Sequence, residues 1–132
     1  MPGLSPEDRS AGLAAAVRAE RAAVVALAEL VATRSRVDVV EAPAAGSVMV
    51  ELETPAGSFS LTEVVVTTCA VRVDDRPGWA AVLGWDDEAS LAAAILDAEP
   101  ALADPLAEAA IARIAASHDE EARVVAATRV GR

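Results

Sequence analysis

Leu61-Thr62-Glu63-Val64-Val65-Val66-Thr67-Thr68-Cys69-Ala70-Val71-Arg72-Val73, then Asp74-Asp75-Arg76-Pro77-Gly78, then Trp79-Ala80-Ala81-Val82-Leu83-Gly84 is an apolar run, a polar break and a second apolar run. β-Branched residues fill the first run, and Asp, Pro and Gly punctuate its end, so the stretch predicts strand, hairpin turn and strand. Val65, Thr67, Cys69, Val71 and Val73 share one face. The opposite face begins with Val64 and Val66 and becomes Thr68, Ala70 and Arg72. The first half is therefore expected to be covered on both sides and the second half on one. A strand this long also predicts a bend or bulge.

Working outward, Asp86-Asp87 can cap a helix whose apolar face is Leu91, Ala94, Ile95 and Ala98, with Pro100 as its stop. Asp104-Pro105 repeats the cap-plus-proline signal for a final helix carrying Leu106, Ala110 and Ile114. Upstream, Ser5-Pro6-Glu7-Asp8 starts a helix that runs to about Thr33 on a stripe of Leu13, Val17, Val24, Leu27 and Val31. That stripe loses its large residues near Arg18 to Arg21, where the helix can break in two. Between the long helix and Leu61, Val37 to Glu41 reads as a short strand and Ala42-Pro43-Ala44-Ala45-Gly46 as a turn. Ser47 to Glu53 is the next strand, with Val48 and Val50 on one face and Met49, Glu51 and Glu53 on the other. The expected architecture is α+β: an antiparallel sheet of about four strands, with an N-terminal helix or helices and two C-terminal helices packed on it, in one domain over residues 1–132.

Composition narrows the function. The net charge is −10, and all 11 basic residues are arginines. Phosphate backbones and anionic lipid repel such a chain, so neither a nucleic acid nor a membrane surface is an expected partner. Two tryptophans and one phenylalanine leave the core to Val, Leu, Ile and Ala, and so poor an aromatic supply favours burial against a partner. One cysteine and one histidine exclude a disulfide framework and a histidine-based zinc site within the chain. No secretory leader is read at Met1-Pro2-Gly3-Leu4-Ser5, which predicts a cytoplasmic protein.

No phosphate-binding glycine loop or serine-nucleophile elbow is present. Asp86, Asp87 and Glu88 read as a helix start in preference to a metal site. Cys69 reads as a buried core filler and His118 as a surface helix residue. Thr67 and Thr68 suit a strand, with a hydroxyl offered to a partner's site as the functional alternative. Arg72 and Arg129 are the cations placed to do more than solubilise. Trp79 is expected to pack the core, and Trp85 to anchor an interface.

Three segments of this chain resemble the PhnG family: Leu61-Thr62-Glu63-Val64-Val65-Val66-Thr67, Cys69-Ala70-Val71-Arg72-Val73 and Gly78-Trp79-Ala80-Ala81-Val82-Leu83-Gly84. Ala42-Pro43-Ala44-Ala45-Gly46-Ser47-Val48-Met49-Val50 upstream and Ala126-Ala127-Thr128-Arg129-Val130 downstream are similar to further family motifs, in order and at compatible spacing. The sequence departs from the family pattern at Thr62, in place of glycine, at Trp85, in place of a polar or basic residue, and at Gly131-Arg132, where an acidic-aromatic tail usually follows. The resemblance implies a non-catalytic or co-catalytic subunit of the carbon–phosphorus lyase core complex, active as a transferase only within that assembly. PhnI, PhnH and PhnJ-like subunits are the implied partners, in a hetero-oligomer. The implied step transfers a phosphonate to the ribose C1′ of ATP with release of adenine. ATP is then a substrate of the complex, and no cofactor or metal is expected on this chain alone. Thr67, Thr128 and Arg129 match the family motifs and are the candidate catalytic residues. The alternative reading is an acidic α+β interaction module that forms a homodimer and has no enzymatic role.

Overall fold

A computed structural model describes residues 3–53, 57 and 59–130, with side chains described through 117 apart from those at 52–53 and 59–60. The elements follow the order α1 (Pro6–Arg34), β1 (Val37–Glu53), β2 (Phe59–Val73), β3 (Arg76–Leu83), α2 (Asp87–Asp97) and α3 (Pro100–Val130). The sheet is an antiparallel meander in the order β1-β2-β3. The α+β class is as expected, with three strands instead of about four. The difference lies at Ala42 to Gly46, which does not turn. β1 runs straight through it, and the register with β2 shifts between Val39 and Glu41 and again between Glu41 and Ala44. Pro43 falls in that irregularity, where its missing N–H breaks no regular ladder bond.

The β2–β3 connection is a tight one. Asp74 and Asp75 have φ of 48° and 70°, the left-handed pair that matches the twist of a two-residue hairpin. Arg76, Pro77 and Gly78, expected in the turn, belong to β3. Pro77 is tolerated because β3 is an edge strand with one row of unpaired N–H positions. β2 alternates as predicted along its second half, where Thr67, Cys69, Val71 and Val73 are buried on one face while Arg72 is exposed. Its first half is not covered on both sides: Leu61 is exposed and Val64 to Val66 are half-buried. Trp79 does not pack the core either. It sits on the outward face of β3 and is 46% exposed, because the inward positions are taken by Ala80 and Val82.

α2 lies on the inner face of the sheet with part of α1, whereas α3 packs on α1, so of the two C-terminal helices expected on the sheet only α2 rests there. α1 begins with Ser5 accepting from the Asp8 N–H at 3.1 Å and Pro6 in its first turn, as its sequence signals require. It breaks at Glu20, whose φ and ψ are −143° and 56°. The first half packs on α3 and the second lies along α2, so the kink lets one helix follow two partners. α3 starts earlier than Asp104-Pro105. The carbonyl of Glu99 accepts from the N–H groups of Leu102 and Ala103 at 3.0 and 2.9 Å, and so opens the helix at Pro100. Pro105 inside it removes one intrahelical bond close to the N-terminus, where the loss is smallest.

Small residues allow this packing. α3 buries Ala103, Ala107 and Ala110 on one stripe, and α2 buries Ala89, Ala92, Ala93 and Ala94. The helices therefore come so close that glycines are required beneath them. A Cβ at Gly12 would stand 2.5 Å from the Ala107 Cβ, and one at Gly78 would collide with the Ala94 carbonyl oxygen of α2. Gly12→Ala should thus destabilise the chain by about 1–3 kcal/mol in chemical denaturation, although alanine favours a helix over glycine by about 1 kcal/mol. A stabilised variant would mean that α1 and α3 can separate freely.

Candidate functional site

Three features stand out as places where this chain could act. The first is a node where β2, the end of β3, α1 and α2 meet. Gly84, at φ 84°, turns the chain out of β3 in a conformation that side chains rarely adopt. Its N–H donates to the Val65 carbonyl at 2.8 Å. The Thr67 hydroxyl donates to the Gly84 carbonyl at 2.6 Å and accepts from the Asp86 N–H at 3.1 Å. Asp86 caps α2, accepting from the Ala89 N–H at 3.0 Å. Both its oxygens also accept from Arg21 at 2.8 Å, and the same guanidinium reaches Glu88 at 3.2 Å. The Arg21 hydrogen bonds hold the Asp86 carboxyl down at about 2.

This geometry decides between the two readings of Thr67. Its side chain is fully buried and both functions of its hydroxyl are used inside the chain, so it pins the exit from β3 and offers nothing to an outside ligand. Asp86 likewise behaves as a cap. Arg21 was not singled out from the sequence; 65 residues separate it from Asp86, and only folding brings the two together.

The second feature is a depression of about 580 Å³ lined by the start of α1, the β2–β3 hairpin and the α2–α3 junction. Three arginines reach it. Arg9 donates to Asp104 at 2.7 Å and to the Leu4 carbonyl at 3.0 Å. Arg76 pairs with Glu99 and donates to the Ala98 carbonyl at 3.0 Å. Arg72 has no partner among the described residues. Asp97 accepts from the Trp79 N–H at 2.9 Å, and burial pushes its carboxyl up from the ordinary range. Asp97 is the carboxylate in the lining, and Asp104 and Glu99, just outside it, pair with Arg9 and Arg76 and offset their charge. Such a surface is no strong attractor for a phosphate group.

The third feature is the outer face of the sheet, opposite the helices. Trp79, Ala81 and Leu83 of β3 lie beside Ala70, Thr68 and Val66 of β2. Val66 and Val64 continue to Gly46 and Val48 of β1. Sheets packed on one side normally carry polar residues on the other. Here Leu83 is half exposed and Val48 and Trp79 nearly so. Just past Gly84, Trp85 is 81% exposed.

Cys69 is buried, and desolvation pushes its thiol above the ordinary value, which suits a core filler and opposes a nucleophile. The expectations for His118, Thr128 and Arg129 fall outside the described side chains. Among the described residues no group of three or more His, Cys, Asp or Glu side chains is placed to hold a metal ion. No helix among them is long and apolar enough to cross a membrane.

Against this geometry stands one comparison: a family model described as phosphonate metabolism protein PhnG matches residues 7–131. No curated protein matches the chain. The chain belongs to the PhnG family.

Two substitutions test the node. Thr67→Val keeps the shape and removes both hydroxyl bonds, to the Gly84 carbonyl and from the half-buried Asp86 N–H; a loss of about 0.5–1.5 kcal/mol in urea denaturation is expected. Asp86→Asn keeps a capping oxygen but loses the charge. The charged form of Asp86 stabilises the fold fully above its ordinary pKa of 3.8, and that contribution disappears as pH falls toward about 2. The acid limb of the stability profile should accordingly be shallower in Asp86→Asn than in the parent between those values.

Proposed function

We propose that this member of the PhnG family works as a transferase-type subunit of the carbon–phosphorus lyase core complex. Its partners are PhnI, PhnH and PhnJ-like subunits in a cytoplasmic hetero-oligomer. In the step attributed to PhnG, PhnH, PhnI and PhnL together, a phosphonate oxygen forms a bond to C1′ of the ATP ribose. The glycosidic C–N bond breaks, and adenine leaves with the proton that the phosphonate gives up. The product is a ribose 1-phosphonate 5-triphosphate.

The observation that carries the reading is the family match over residues 7–131. The local chemistry agrees with a subunit that acts through others. The Thr67 hydroxyl is consumed internally, Cys69 is buried, and Arg9 and Arg76 of the depression are already paired with Asp104 and Glu99. What the described surface offers in their place is apolar area, which suits assembly better than turnover.

Co-expression with PhnI, PhnH and PhnJ from the same genome should give a stable hetero-oligomer by size-exclusion chromatography with light scattering. With PhnL, ATP and methylphosphonate added, that assembly should release adenine, and leaving this chain out should lower the rate at least about tenfold, a change of about 1.4 kcal/mol in activation free energy. An undiminished rate without the chain would remove the proposal.

A further inference from the structure

The first half of the β1–β2 hairpin stands away from the body of the protein. β3 pairs with β2 only from Val66 to Val73, whereas β1 and β2 continue pairing as far as Glu53 and Phe59. Seven residues of β2, Phe59 to Val65, therefore have a neighbour on one side alone. At about 3.4 Å per residue the arm reaches ~24 Å past the end of β3. A two-stranded ribbon is marginal in water unless something packs on it. Here Val48 sits directly opposite Val64, and Val50 opposite Thr62, on the outer face. On the other face Met49 and Leu61 are 59% and 68% exposed. Neither face has a covering element among the described residues.

The charge pattern says what would cover it. From Val37 to Val71 there are five acids, Asp38, Glu41, Glu51, Glu53 and Glu63, and no basic residue. Glu51 and Glu63 lie on the same face as Met49 and Leu61, opposite Leu61 and Met49 respectively, so exposed apolar groups alternate with carboxylates across the strands. A second copy of the chain would bring the same carboxylates to the contact, and like charges across an interface oppose association. A surface with an apolar strip bordered by arginines or lysines matches both properties.

We infer that this arm, with the valine face that continues from it to Leu83 and Trp79, is the docking surface for a protein partner whose contact surface is apolar at its centre and basic at its rim. The inference rests on the subunit reading above and names the surface through which it operates. It also accounts for the long valine strand, whose first half is half-buried in the lone chain and becomes fully covered in the complex.

The test uses the full chain with the subunits named above. Val48→Thr with Val50→Thr keeps β-propensity and removes apolar contact, and Glu51→Arg with Glu63→Arg reverses the rim charge. Leu30→Thr, at an exposed position of α1, is the control. Circular dichroism and the denaturation midpoint verify that each variant folds as the parent does. The valine pair should weaken assembly at least about tenfold. The charge pair should weaken it and also flatten its dependence on salt, while Leu30→Thr assembles as the parent does. In the parent complex, hydrogen exchange at the amides of residues 46–51 and 61–66 should slow relative to the free chain. Parental affinity in both arm variants, or unchanged exchange there, overturns the surface and leaves the subunit reading standing. A parent that assembles with none of the subunits overturns both. A homodimer that the valine pair dissolves overturns the choice of partner, because a second copy then covers the arm.

Discussion

Gly78 of β3 lies against the backbone of α2 with no room for even a methyl group, and the positions of the other elements depend on that contact. It sets α2 flat on the inner face of the sheet, over Cys69, Val71, Ala80 and Val82. With α2 in place its cap, Asp86, stands beside the Thr67 hydroxyl and within reach of Arg21. α1 then has a ledge for its second half, and its kink at Glu20 turns its first half onto α3. The approach is possible because α2 meets Gly78 through Ala94 and its cap Ala98, and such small side chains let backbones come together at the density protein interiors require.

The same economy has a cost. Helices so lean, with three aromatic residues in the whole chain, cover one face of a three-stranded sheet and leave the other to solvent. That outer face is made of valine, alanine, leucine and tryptophan where a free-standing protein would carry polar groups. The arm extends the exposed face beyond the body, and its carboxylates give it a sign. A partner that binds only the folded form then adds to its stability by mass action.

Much of this was legible in the residues. Ser5-Pro6 and Asp86 are caps because their side chains and ring satisfy orphan N–H groups locally, with no help from the rest of the fold. The alternation from Thr67 to Val73 placed the buried face correctly, since a strand's period of two is a local property. The break in α1 showed as a gap in its stripe. Other readings failed where local signals compete with distant ones. Ala42 to Gly46 has the composition of a turn, yet pairing with β2 carries the strand through it by means of a bulge. Asp104 has the look of a cap, but Arg9, 95 residues away, engages its carboxylate, and the helix starts at Pro100. Trp79 has the look of a core residue, but the register of β3 turns it outward.

The sequence by itself determined the α+β class, the starts of α1 and α2, the hairpin at Asp74-Asp75, the inward face of β2 and the membership of the PhnG family. These follow from capping, from turn geometry, from side-chain periodicity and from motifs read along the chain. Only the tertiary structure decided that the sheet has three strands with a projecting arm, that the Thr67 hydroxyl is spent within the chain, that Arg21 and Asp86 form one node, and that the apolar face of the sheet is bare. The physical reason is separation along the chain. Each of those outcomes depends on which distant backbone approaches closely enough to pair, to exclude a methyl group or to neutralise a charge, and no local pattern encodes that distance.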